Sequence, residues 1–144
     1  WAAELVDRVP LFAKLPTDKR ASIARLLKPR MTLPGDPIVR RGQRGDAMYF
    51  IASGAAAVLI PGKPVELGSG EFFGELALLT GQPRNADVVS LGYCRLLELS
   101  SDDFRDLLAG DADLKRAIEA VAEERLHPHR QDTRQQQRDR QVGR

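Results

Sequence analysis

Between Pro29 and about Leu99 the chain never runs long without a turn former. Pro34-Gly35, Pro37, Gly42, Gly45-Asp46, Gly54, Pro61-Gly62, Gly68, Gly70, Gly81, Pro83 and Gly92 punctuate short apolar stretches. This spacing leaves room for short strands but not for the long helical crossovers that a parallel sheet demands. The middle of the chain is therefore expected to be a β sandwich or barrel, with one short helix interrupting it at about Glu75 to Leu79.

The flanks follow a helical period. Leu5, Val9 and Phe12 recur at roughly helical spacing, and Pro16-Thr17 precedes a predicted helix from Asp18 to Lys28 with Ile23, Leu26 and Leu27 on one stripe. From Ser101 the pattern turns helical again. Ser101 is the expected N-cap over Asp102 and Asp103, whose carboxylates suit a helix N-terminus, and Phe104, Leu107 and Leu108 form the stripe to be buried. A last helix is expected from Asp111 through Leu114, Ile118, Val121 and Ala122 to about Leu126, where Pro128 prevents continuation. The class is mainly β with flanking helices.

With 144 residues, 42% hydrophobic and 29% charged, the chain accommodates one domain, assigned to residues 1–126. Residues 127–144 form a polar, basic tail with almost nothing apolar to bury, expected to be disordered. A net charge of +2 gives no reason to expect a protein that wraps a polyanion. The charge is uneven, since from Arg125 onward six Arg face only Asp132 and Asp139. These Arg are interleaved with Gln and no aromatic residue, so the tail offers attraction without stacking, and no specific nucleic-acid partner is expected. The longest apolar run, Ala55 to Ile60, is far short of the ~20 residues that cross a bilayer. The N-terminus has neither an initiator Met nor a signal-peptide profile, which suggests a domain excised from something longer. The lone Cys94 forms no internal disulfide, and His127 and His129 have no Cys or Glu at ligand spacing, so no metal is expected.

No Gly-x-Ser-x-Gly elbow, His-Glu-x-x-His helix or Gly-Lys-Ser/Thr loop is present, and nothing nominates an enzyme. Gly68-Ser69-Gly70 reads as a tight turn between strands, because no parallel strand-helix unit surrounds it. The informative stretch is Phe72-Phe73-Gly74-Glu75-Leu76-Ala77-Leu78-Leu79-Thr80-Gly81-Gln82-Pro83-Arg84-Asn85-Ala86. Gly74 permits close backbone approach to a ligand, and a short helix starting there would aim the N–H groups near Leu76 and Ala77 at an anion. Arg84 follows a Gly-Gln-Pro turn and could bring an always-charged fork to that anion. Glu75 would repel the same anion unless it engages a neutral donor, a need that a sugar hydroxyl meets. Together these residues describe a pocket for a small phosphorylated ribose. The plainer alternative is that Glu75 and Arg84 pair to staple a loop.

This stretch resembles the phosphate-binding cassette of the cyclic-nucleotide-binding domain family, Phe-Gly-Glu-Leu/Ile-Ala-Leu, a short gap, then Arg-x-Ala. Gly42-Gln43-Arg44-Gly45-Asp46-Ala47-Met48-Tyr49-Phe50-Ile51-Ala52-Ser53-Gly54 is similar to the family's second signature, Gly-x-x-Gly-Asp-x-x-Tyr followed by apolar residues and Gly. The resemblance covers roughly Val9 to Leu126 and implies a jelly-roll β-roll with N-terminal helices and two C-terminal helices, the last a lid. It implies that Glu75 holds the ribose 2′-hydroxyl, and that Arg84 with the amides of Gly74, Leu76 and Ala77 binds the cyclic phosphate. Asn85 stands where many members have Thr, Ser or Ala. Leu59 and Val65 look like base-pocket positions, with core packing as the alternative. Arg125 resembles the lid Arg of prokaryotic cyclic-nucleotide-gated potassium channels, with a helix-end Arg as the alternative; stacking on a purine is worth roughly 0.5–2 kcal/mol.

The implied ligand is regulatory, cAMP or cGMP, with no cofactor. Asn85 could engage a guanine, but an apolar pocket desolvates adenine at lower cost, so cAMP is expected to be favoured. The single cassette, the short tail and the N-terminal segment Arg8-Val9-Pro10-Leu11-Phe12 are similar to a channel sensor. The expectation is a cytoplasmic domain of an inner-membrane protein, attached to an upstream channel pore, monomeric when isolated and tetrameric in its parent. A stand-alone sensor derived from a transcription regulator is the alternative.

Overall fold

The computed structural model describes residues 2–126, which divide into two compact units that part between Gly110 and Asp111. The expected tail and both His residues lie outside the described residues. The first unit begins with three helices, α1 (Ala2–Val6), α2 (Pro10–Ala13) and α3 (Thr17–Leu26). Strands β1 (Lys28–Thr32), β2 (Pro37–Val39), β3 (Ala47–Ser53), β4 (Ala56–Leu59), β5 (Val65–Leu67) and β6 (Phe72–Phe73) follow. Then come α4 (Glu75–Thr80), β7 (Asp87–Ser90), β8 (Cys94–Ser100) and α5 (Ser101–Gly110).

The strands form two four-stranded sheets, β1-β8-β3-β6 and β2-β7-β4-β5, with every pairing antiparallel. Alternation along the strands sends Tyr49, Ile51, Phe73 and Leu96 of the first sheet against Ile38, Val39, Ala56, Leu67 and Val88 of the second. The opposite face of the first sheet is buried too. Met48, Phe50, Leu97 and Leu99 are fully buried, and Phe12 of α2 packs on Phe50 at 4.8 Å between ring centroids. Because β3 is covered on both faces, it reads as a continuous apolar run rather than an alternating one. Pro29 and Pro37 sit in strands at sheet edges, where a missing N–H breaks no ladder bond. The Gly68-Ser69-Gly70 turn joins β5 to β6 as read from the sequence.

Four boundaries differ from expectation. The N-terminal apolar period is split into α1 and α2, because Pro10 starts a new helix over Val9. Helix α3 stops at Leu26, and Lys28 opens β1 opposite Glu98. The cap of α5 is Ser100, whose hydroxyl accepts from the Asp103 N–H at 3.2 Å, while Ser101 is already helical and donates its own N–H to the Asp46 carbonyl. Ser100 ends a strand and so has the extended backbone that a cap requires.

The second unit contains α6 (Ala112–Leu126). Asp111 precedes this helix rather than belonging to it, and its carboxylate caps the Leu114 N–H at 3.0 Å. Leu114, Ile118, Ala122 and Arg125 recur along α6 at helical spacing and share one stripe. No helix among the described residues is long and apolar enough to cross a membrane.

Candidate functional site

The six-residue α4 is bounded by two left-handed glycines, Gly74 at φ 90° and Gly81 at φ 71°. Gly74 ends β6 and turns the chain into the helix, a conformation that costs other residues about 1–2 kcal/mol. It also has no room for a side chain, since a Cβ there would sit 2.8 Å from Arg84 Nη1. Gly81 closes the helix by donating its N–H to the Ala77 carbonyl at 3.0 Å.

Arg84 is 7% exposed and held from both ends. Its main chain pairs with the β2–β3 loop, N–H to the Gln43 carbonyl and carbonyl from the Gly42 N–H, each at 2.8 Å. Its guanidinium donates from Nη1 to the Gly74 carbonyl at 2.8 Å and from Nη2 to the Ala47 carbonyl at 2.5 Å. Thus one side chain ties the cassette to β3. Burial lowers the Arg84 guanidinium from its ordinary value, a pull opposed by Tyr49, Asp46 and Glu75 around it. Glu75, in the first turn of α4, is 0% exposed.

The remaining candidates are spread around this centre. Leu76 is half-buried and Ala77 buried on α4, and Asn85 is exposed between buried Arg84 and Ala86. Leu59 and Val65, at the facing ends of β4 and β5, are 43% and 44% exposed, so neither is a core residue. The β4–β7 register sets Leu59 opposite Asp87, two residues beyond Asn85. Arg125 lies in the last turn of α6, in the second unit.

Three contributors escaped the sequence reading. Gly45 is required for closure, because a Cβ there would lie 2.4 Å from the Ala77 Cβ and 3.3 Å from Arg84 Cζ. Gln43 and Ala47 act through carbonyl oxygens, which leave no trace in residue type. The Gly45-Asp46 motif was the available signal, but nothing local tells that its loop packs on the cassette. A cleft of about 450 Å³ opens beside this contact, among Gly42, Gly45, Gln82, Pro83, Ser101 and Arg105; Glu75 and Arg84 do not line it.

The eight antiparallel strands thus carry a buried Glu75 in the first turn of the glycine-bounded α4 and a buried Arg84 beyond its end. The chain belongs to the cyclic nucleotide-binding domain family, whose model matches residues 29–111. It is 43% identical over 122 residues to a cyclic nucleotide-gated potassium channel of Rhizobium etli, covering 85% of this chain and 34% of that protein. It is 41% identical over 124 residues to the potassium/sodium hyperpolarization-activated cyclic nucleotide-gated channel 2 of Mus musculus, covering 85% of this chain and 14% of the channel. The chain thus spans about a third or less of the length of these relatives. Among solved structures it is similar to PKAR CBD2 with Sp-2Cl-cAMPS bound, at a TM-score of 0.73, 26% identity and 84% coverage of both chains.

Proposed function

We propose that the chain senses a cyclic nucleoside monophosphate, cAMP in preference to cGMP, and that binding regulates an attached channel or other membrane protein. The observation that carries this reading is the cassette itself, in which buried Glu75 opens one short helix bounded by Gly74 and Gly81 and doubly seated Arg84 follows it. Two of the five guanidinium N–H groups of Arg84 donate to carbonyls, and the others would meet the cyclic phosphate together with the amides of Gly74, Leu76 and Ala77. Glu75 would accept from the ribose 2′-hydroxyl. Leu59 and Val65, apolar and exposed in this structure, would cover the base, with Asn85 at its edge.

Coupling is a population shift. The ligand contacts the roll through Glu75 and Arg84 and the last helix through its base, where Arg125 stacks, so it favours the lid-closed state by the difference in contacts. Phe104, Leu107 and Leu108 would relay the change against Leu78 and Leu79, and the N-terminal helices would carry it to the attached protein. The test of the phosphate assignment is Arg84→Ala. Loss of a charged partner from a partly buried phosphate is expected to weaken cAMP binding by roughly 2–5 kcal/mol in a folded protein, and an unchanged dissociation constant refutes the assignment.

A further inference from the structure

We infer that Tyr49 is a positioning residue for Arg84, acting through the β3–β6 strand pair from which the two carbonyls that seat the guanidinium, one on β3 and one directly after β6, are held. The inference rests on Arg84 being the phosphate ligand. Arg84 is seated on two oxygens, that of Ala47, two residues before Tyr49 on β3, and that of Gly74, which follows Phe73 and caps α4. Tyr49 and Phe73 are register partners, and their rings stack at 5.3 Å with 22° between planes. Both seats therefore hang from one cross-strand pair. Strand β6 has only two residues, which pair as Tyr49–Phe73 and Phe50–Phe72; main-chain bonds of Ile51 to Gly70 and Glu71 hold its entry, and Tyr49–Phe73 is the last register pair before Gly74.

The other end of Tyr49 is tied in the opposite direction. Its register partner on β8 is Glu98, whose Oε1 accepts from the phenol at 3.1 Å. Arg30 of β1 donates to the same phenol oxygen at 3.4 Å and lies 5.7 Å from the ring centroid. Glu98, Tyr49 and Phe73 thus form a row across β8, β3 and β6 that Arg30 joins diagonally from β1, where it stands opposite Leu96, and the row ends where the Arg84 seat begins. Packing alone asks only for a Phe at position 49, which is 4% exposed. The hydroxyl adds a fixed anchor to the ring at the cost of burying a polar atom, a cost offset only because both partners meet it. Burial first, and Glu98 next, raise the Tyr49 phenol above its ordinary value, so it remains a protonated donor at neutral pH. The row sets the spacing of the two carbonyls, and with it the direction of the guanidinium.

The test is a double-mutant cycle on the full chain, with cAMP affinity measured by calorimetry for wild type, Tyr49→Phe, Arg84→Lys and the double variant. Tyr49→Phe keeps the Phe73 stack and is expected to weaken binding about five- to tenfold when Arg84 is present, but less than twofold in the Arg84→Lys background. In the ligand-free protein the Arg84 Nε–H resonance should shift on Tyr49→Phe, a change that a general loss of stability does not produce. Glu98→Leu should reproduce the loss, and Glu98→Gln, which keeps an acceptor for the phenol, should lose less. Weakened binding in Arg84→Lys with wild-type affinity in Tyr49→Phe, or equal losses in both backgrounds, overturns this inference alone. Undiminished binding in Arg84→Lys overturns the phosphate reading and this inference with it.

Discussion

At the scale of single residues, the proposed site depends on where an acidic and a basic side chain are placed. Glu75 is as deeply buried as any core side chain, and a carboxylate so placed near an anion site is useful only against a hydrogen-bond donor. Glu75→Ala is therefore expected to weaken cAMP binding, and 2′-deoxy-cAMP to lose affinity for wild type but much less for this variant. Titrations of both nucleotides into both proteins check it, and equal losses refute the ribose contact. Glu75 and Arg84 stand out in the sequence because their chemistry is written in residue type, and the structure buries both. Their supports were not. Carbonyls of Gln43, Gly74 and Ala47 belong to every residue alike, and only the folded register brings the first to the Arg84 main-chain N–H and the other two to its guanidinium.

At the scale of elements, strand existence followed from punctuation, whereas strand order did not. Pairing of Lys28 with Glu98 and of Tyr49 with both Phe73 and Glu98 joins segments far apart in the chain, and no local pattern encodes which apolar stretch adjoins which. Helix ends were legible to within two residues at α3, α5 and α6 but not at the split between α1 and α2, and the error at α5 is instructive: two serines stand in a row, and the strand geometry of β8 selects the first. Ser100→Ala is accordingly expected to cost about 1 kcal/mol and to lower the thermal midpoint, while Ser101→Ala has a much smaller effect. Thermal unfolding of both variants decides between them.

At the scale of the whole molecule, the proposal needs a signal to leave the roll. Arg125→Ala is expected to reduce cAMP affinity modestly and to speed release, because a lid contact at a helix end forms late and is partly wet. Stopped-flow release rates measure this directly. Ligand should also slow amide exchange in α6, and identical exchange with and without cAMP rules out lid closure. The apolar stripe of α6 and Arg125 can be read from the sequence, whereas a motion is a difference between two states and leaves no pattern in one chain.

The central claim is that this module binds a cyclic nucleotide through its cassette, and calorimetric titration of the chain with cAMP and with cGMP tests it most directly. One saturable site is expected for each nucleotide, with cAMP preferred by no more than about tenfold, or ~1.4 kcal/mol, and with a ratio that changes in Asn85→Ala or Asn85→Thr. A cGMP preference contradicts the ranking. A folded chain that gives no saturable binding with either nucleotide contradicts the account itself.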